Sequence, residues 1–185
     1  LARVAGQEEA LTRGARRAAE RLVGRVDDAA MQDLIRRALT AEAVAAEDPE
    51  HREVDLHALF TDWAGSLGKD ASHEELDSAV DLIGEAWVGS LEPFPGAADA
   101  LAELKRRGYR MGLVSNCIIP HAYCLKELDR QGVGPLLDFA VTSGDVGYRK
   151  PSPHIYDRAL EHAADNGRSA DVSRILFVGD SPAFD

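Results

Sequence analysis

The feature that most limits the fold is a change of hydrophobic rhythm at Glu92-Pro93-Phe94-Pro95-Gly96. Two prolines and a glycine in so short a stretch end a helix and turn the chain. Before that point only helical spacing is found. Leu11, Ala15, Ala18 and Leu22 share one side of a segment from about Gln7 to Val23, with Gly14 as a weak point inside it. Met31, Leu34, Ile35 and Leu39 form the stripe of a second helix, from about Asp28 to Glu47. A third, from about Val54 to Leu67, carries Leu56, Leu59, Phe60 and Trp63. The fourth opens at Ser72, where Ser72-x-x-Glu75 is a capping box, and runs through Leu76, Val80, Ile83 and Trp87. Four amphipathic helices on short connections predict a small bundle over residues 1–90.

After the turn, helices alternate with short apolar runs. Ala97, Leu101 and Leu104 mark a helix that Gly108 can close. Arg110 to Val114 reads as a strand, Leu125 and Leu128 as part of a helix ending near Gly132, and Phe139 to Thr142 as a second strand. Ser152-Pro153 is a good start for a helix carrying Ile155, Tyr156, Ala159, Leu160 and Ala163. Ile175-Leu176-Phe177-Val178, apolar throughout, reads as a third strand. Strands without polar alternation imply a parallel sheet covered on both faces. The expected class is therefore α/β: a three-layer, Rossmann-like parallel core over residues 91–185, with a helical bundle ahead of it.

Charge narrows the partners. The formal net charge is −11 over 185 residues. Residues 1–90 hold 10 Lys+Arg against 19 Asp+Glu, and residues 91–185 hold 11 against 13, so the acidity sits in the bundle. Such a surface repels phosphate backbones and anionic lipid, which argues against nucleic acid or a membrane as partner. No apolar run is long enough to span a bilayer. Cys117 and Cys124 form neither a C-x-x-C pair nor a cluster with histidines, so they are expected as reduced thiols in a cytoplasmic protein. Oligomeric state leaves no trace in the sequence.

In open parallel sheets, ligands bind beyond the carboxyl ends of the strands. Ser115-Asn116 follows the first strand. Gly147-Tyr148-Arg149-Lys150-Pro151 closes the loop after the second, and Gly179-Asp180-Ser181 with Asp185 follows the third. Lys150 lies 35 residues after Ser115 and Asp180 lies 30 after Lys150, each gap holding one helix–strand unit. A hydroxyl, an ammonium and a pair of carboxylates at one sheet edge suit phosphoryl transfer. The hydroxyl can hold phosphoryl oxygens, the lysine can neutralise them, and the carboxylates can hold a hard cation. Each element alone has a plainer reading as a turn residue, surface charge or helix cap. Their order and placement carry the weight. Trp63 and Trp87 lie on helical stripes and read as packing, and Cys117 as a small packing residue. His51, His57 and His73 show no ligand spacing and read as solvated. Arg149 reads equally as a surface charge or a phosphate contact.

Three stretches resemble the later motifs of the haloacid dehalogenase-like (HAD) hydrolases. Gly112-Leu113-Val114-Ser115-Asn116, approached through Pro95-Gly96 and Leu104–Tyr109, is similar to the second motif. Val146–Pro153 is similar to the third, and Phe177-Val178-Gly179-Asp180-Ser181 with Asp185 to the fourth. The likeness is strong over residues 93–185 and architectural over 1–90, where many members carry a helical cap. It implies that Ser115 binds a phosphoryl group, that Asn116 orients the loop or touches substrate, and that Lys150 steadies a phosphoryl-aspartate. It also implies Mg²⁺ held by Asp180, directly or through water, with Asp185 in support. The activity implied is phosphatase action on a small phosphorylated metabolite.

The family's first motif, a strand ending in Asp-x-Asp, has no counterpart here. Asp27-Asp28 has the wrong spacing and no strand before it. The chain starts at Leu1 within helical sequence and stops at Asp185 just past a strand-and-turn signal, so both ends are expected to be cuts. As it stands the chain is expected to be inert, with a gap where the resemblance puts the missing strand, between the first and third strands, or with those two strands paired directly. Two other readings stand beside the phosphatase. One is a 2-haloacid dehalogenase-type hydrolase, which uses no metal and has no need of Asp180. The other is a non-catalytic HAD-like binding module.

Overall fold

The computed structural model describes residues 2–3, 7–164 and 170–181. Its first half is built from four helices: α1 (Gln7–Val23), α2 (Asp28–Glu47), α3 (Leu56–Ser66) and α4 (His73–Trp87). Asp27 caps α2 by accepting the Ala30 N–H, and Asp55 caps α3 through Ala58. Ser72 and Glu75 form the reciprocal capping box of α4 that the sequence predicts. The helices close over one core of Ala18, Ala19, Leu22, Met31, Leu34, Phe60, Trp63, Leu76, Ala79 and Val80. Trp63 is fully buried, and its indole N–H donates to the Ala30 carbonyl at 3.2 Å, which ties α3 to α2.

Gly14 has a use that helix propensity hides. A Cβ there would stand 2.3 Å from the Ala86 Cβ, so the missing side chain lets α1 and α4 approach closely. The expected stripe of α2 is corrected in part. Met31 and Leu34 are buried, but Ile35 and Leu39 are exposed, because only the first turns of α2 meet the shared core.

A short antiparallel ribbon pairs β1 (Ala2–Arg3) with β2 (Leu91–Glu92). Helix α5 (Ala97–Arg106) follows, then β3 (Gly112–Ser115), α6 (His121–Arg130), a 3-10 turn at Gly134–Leu136 and β4 (Phe139–Thr142). Strands β3 and β4 are parallel, in the register Gly112↔Phe139, Leu113↔Ala140, Val114↔Val141 and Ser115↔Thr142. Alternation sorts their side chains between two faces. Leu113 and Ala140 pack with Ala98, Leu101, Cys124 and Leu128 from α5 and α6. On the other face Phe139 stacks on His162 of α8 (Pro153–Ala163) at 5.7 Å. The fold is α/β, layered helix–sheet–helix, with the bundle as a helical cap.

Strand β3 begins two residues later than the predicted Arg110. Asp138 accepts the Met111 N–H at 2.8 Å and donates its own N–H to the Met111 carbonyl, which closes the ladder at that end. Arg110 points away and caps α8, donating to the carbonyls of His162 and Ala163. The predicted third strand is corrected more heavily. Ile175 to Val178 is not in a β-ladder, and its four apolar side chains are 41–84% exposed. An apolar run becomes a strand only where neighbours pair its N–H and C=O groups, and no described strand flanks this one.

Candidate active site

Parallel pairing puts the ends of β3 and β4 side by side, so Ser115 stands opposite Thr142. At that edge β3 hands the chain to a loop and β4 to the short helix over Ser143–Val146 and the loop beyond it. Asn116, the next residue, reaches across to the loop after β4. Its side-chain carbonyl accepts the Lys150 N–H at 2.6 Å, and its amide nitrogen donates to the Lys150 carbonyl at 3.3 Å. The two sequence-predicted loops are thus joined by one side chain that satisfies both backbone groups of Lys150.

A second tie joins Cys117, the residue after Asn116, to Ser143, the residue after Thr142. Ser143, fully buried, opens the four-residue helix α7 (Ser143–Val146). Its hydroxyl oxygen accepts the Cys117 N–H at 2.7 Å, while the Gly144 N–H donates to the Cys117 carbonyl at 3.0 Å. The same hydroxyl donates to the carboxylate of Glu53, on the segment joining α2 to α3. The Glu53 side chain is 2% exposed, and its other oxygen lies 3.4 Å from the Arg149 guanidinium. Arg149 also pairs with Glu42 of α2 at 2.8 Å. Backbone pairing reinforces the junction: Arg149 donates to His51, Glu53 donates to Gly147, and Arg52 bridges Tyr148. Arg149 is therefore a strut between the helical cap and the loop that carries Lys150. Cys117 and Cys124 are free thiols. The hydrogen bond between them lowers Cys117 and, together with burial, raises Cys124.

The C-terminal segment reaches this edge through Phe177. Its ring meets Tyr156 edge-on at 5.5 Å, and the Lys150 ammonium lies 5.5 Å from the ring centre. Asp180 follows three residues later and is exposed. Asp185 lies outside the described residues. Ser115, Asn116 and Lys150 therefore share one edge, and Phe177 brings the segment bearing Asp180 to the same lysine. The exposed carboxylate of Asp180 is a donor of the kind a hard cation accepts. A concave surface of about 820 Å³ lies between α2 and α3 and reaches Glu53; Arg36, Arg37 and Arg52 line it together with Asp48, Asp55 and Asp62.

Sequence reasoning missed Glu53 and Ser143. Ser143 carried a usable signal, since it follows β4 directly, while Ser115 is the last residue of β3. Glu53 carried none, because 90 residues separate it from the serine it holds.

Comparison with known proteins adds three findings. Residues 5–185 match the haloacid dehalogenase-like hydrolase family. Among curated proteins, the chain is 31% identical over 133 residues to pyrimidine 5'-nucleotidase YjjG of Escherichia coli, covering 70% of this chain and 52% of that one. It is 40% identical over 70 residues to glyceraldehyde 3-phosphate phosphatase of Methanothermobacter thermautotrophicus, covering 38% of this chain and 30% of that one. The chain spans about half or less of the length of these relatives. Among solved structures, YfnB of Bacillus subtilis, described as a HAD-hydrolase bound to magnesium, superposes with a TM-score of 0.55 at 17% identity. The match covers 84% of this chain and 67% of that one, and it is a likeness of fold.

Proposed function

The chain belongs to the haloacid dehalogenase-like hydrolases, and from that premise we propose that it serves a Mg²⁺-dependent phosphatase of small phosphorylated metabolites, working through an aspartyl-phosphate. The observation that carries this reading is the clasp of Asn116 on Lys150 beside Ser115, at the carboxyl edge of a parallel strand pair. In this reading the Ser115 hydroxyl and neighbouring backbone N–H groups hold the non-bridging phosphoryl oxygens. Lys150 neutralises charge on the transferring group. Its ammonium lies 5.5 Å from the centre of the Phe177 ring, whose face attracts a cation. Asp180 and Asp185 would hold Mg²⁺, which supplies charge neutralisation when bound. The attacking carboxylate belongs to the family's first motif, and no Asp-x-Asp after an apolar strand occurs in these 185 residues.

We assign residues 1–90 to the cap and 91–185 to the core, with substrate chosen on the cap side. A concavity of about 820 Å³ beside Glu53 suits a small metabolite. Two free thiols fit a cytoplasmic setting, and no helix among the described residues is long and apolar enough to cross a membrane. The metal-free dehalogenase reading is disfavoured by Asp180, whose carboxylate it would not need.

The test is hydrolysis of a panel of phosphomonoesters, with 2-chloropropionate alongside, in Mg²⁺ and in EDTA. The chain is assayed alone and together with whatever sequence is encoded before Leu1. Phosphate release that needs both Mg²⁺ and the preceding sequence supports the reading. Halide release, or phosphatase activity untouched by EDTA, overturns it.

A further inference from the structure

The geometry points to a transition-metal site on the helical cap, formed by His57, His73 and Asp77 and separate from the strand-end chemistry. His57 is the second residue of α3. His73 opens α4, and Asp77 lies one turn later on the same face, the i,i+4 relation that lets two side chains reach one point. His57 Nε2 stands 3.1 Å from one Asp77 oxygen, and His73 Nε2 stands 3.7 Å from the other. The two imidazole rings meet edge-on, with centroids 5.3 Å apart. Three potential ligand atoms, one from each residue, lie within 4.8 Å of one another.

The backbone beneath them is fixed. Asp55 caps α3 two residues before His57, and the Ser72–Glu75 box closes the first turn of α4 around His73. Phe60, Trp63, Leu76 and Val80 then lock the two helices into one core. Only side-chain torsions remain to adjust. Zn²⁺ sits about 2.0–2.2 Å from N and O ligands, so tetrahedral ligand atoms are roughly 3.3 Å apart. Contraction to that spacing is within reach of a half-buried histidine and two exposed side chains.

Ligand chemistry sets the ion. Two imidazole nitrogens and one carboxylate select a borderline divalent metal such as Zn²⁺, whereas Mg²⁺ prefers oxygen. The N-terminal ends of α3 and α4 carry the positive ends of their dipoles, and Glu74 and Glu75 in the first turn of α4 offset that charge against a bound cation. Three protein ligands leave one position for water, since His73 and Asp77 face solvent. A bound ion would staple the start of α3 to the start of α4.

The test is calorimetric titration of tag-free protein with ZnCl₂ in millimolar MgCl₂, which occupies oxygen-only sites. One ion per chain is expected, with binding weakened on the order of 10-fold or more in His73→Ala and in Asp77→Ala. Asp77→His, which keeps three ligand atoms, should retain binding and so separates ligation from folding. Zn²⁺ in about 100-fold excess over its Kd should raise the parent Tm by roughly 5 °C or more and leave His73→Ala unmoved. Absence of binding, or binding equally tight in parent, His73→Ala and Asp77→Ala, overturns the site.

Discussion

Asn116 holds Lys150 by both of its backbone polar groups, accepting the N–H at 2.6 Å and donating to the carbonyl at 3.3 Å. The clasp fixes where the lysine leaves its loop through its backbone groups alone. Asn116→Ala should remove the Asn116 partner of both groups and cost about 1–3 kcal/mol in stability. Asn116→Asp keeps the acceptor for the N–H and should fall between Ala and the parent. Urea midpoints for the three proteins give this ranking directly. If Ala and Asp lose the same stability, the bond to the N–H contributes nothing.

Lys150 and Asp180 carry the proposed phosphatase chemistry. In protein that shows phosphatase activity, Lys150→Ala should lower kcat on the order of 100-fold or more while leaving the fold intact. Lys150→Arg should restore little, because a planar fork does not replace a compact charge. Asp180→Asn should raise the Mg²⁺ concentration needed for half-maximal rate. Steady-state kinetics across a Mg²⁺ titration separate the two, and a near-parental kcat in Lys150→Ala removes that residue from the site.

Glu127 predicts an acid-sensitive hinge. Its buried carboxylate accepts the Gly89 N–H at 2.6 Å, Arg130 at 2.8 Å and Gln131 at 2.6 Å, so α6 holds the turn that leaves α4. Burial alone would raise its pKa, but the Arg130, Gly89 and Gln131 hydrogen bonds outweigh burial and hold it below the ordinary value. A carboxyl depressed on folding contributes stability above its unfolded pKa of about 4.3, and that contribution is lost as pH falls through the folded value. Glu127→Gln should therefore be less stable than the parent at pH 7, with the difference shrinking below about pH 4. Thermal melts of both proteins from neutral to acid pH would show this, and a gap that stays constant would count against it.

Gly14 inverts the usual rule. Gly→Ala inside an exposed helix gains roughly 1 kcal/mol. Here the added methyl would meet the Ala86 Cβ at 2.3 Å and the Leu82 carbonyl at 3.3 Å. Gly14→Ala should thus destabilise by about 1–3 kcal/mol through helix separation. The double variant Gly14→Ala with Ala86→Gly should recover much of the loss. A single variant more stable than the parent would show that α1 and α4 do not pack this closely.

The sequence by itself determined the elements and the order of the chemical residues. Helical spacing, the Ser72–Glu75 box and the Ser152-Pro153 start depend only on neighbours within a few residues, and all three appear at the predicted places. The ends of β3 and β4 were legible for the same reason, and with them the edge where Ser115, Asn116 and Lys150 gather. Tertiary structure decided what depends on distant partners. Ile175–Val178 has a strand's composition and no ladder, since pairing belongs to a neighbour and not to the segment. Ile35 and Leu39 have a core residue's spacing and no core above them. Glu53 is an unremarkable acid in the chain, and it becomes a buried link only when folding sets it between Ser143 and Arg149. Local periodicity reports what a segment can become, and long-range contact alone settles which groups are desolvated together.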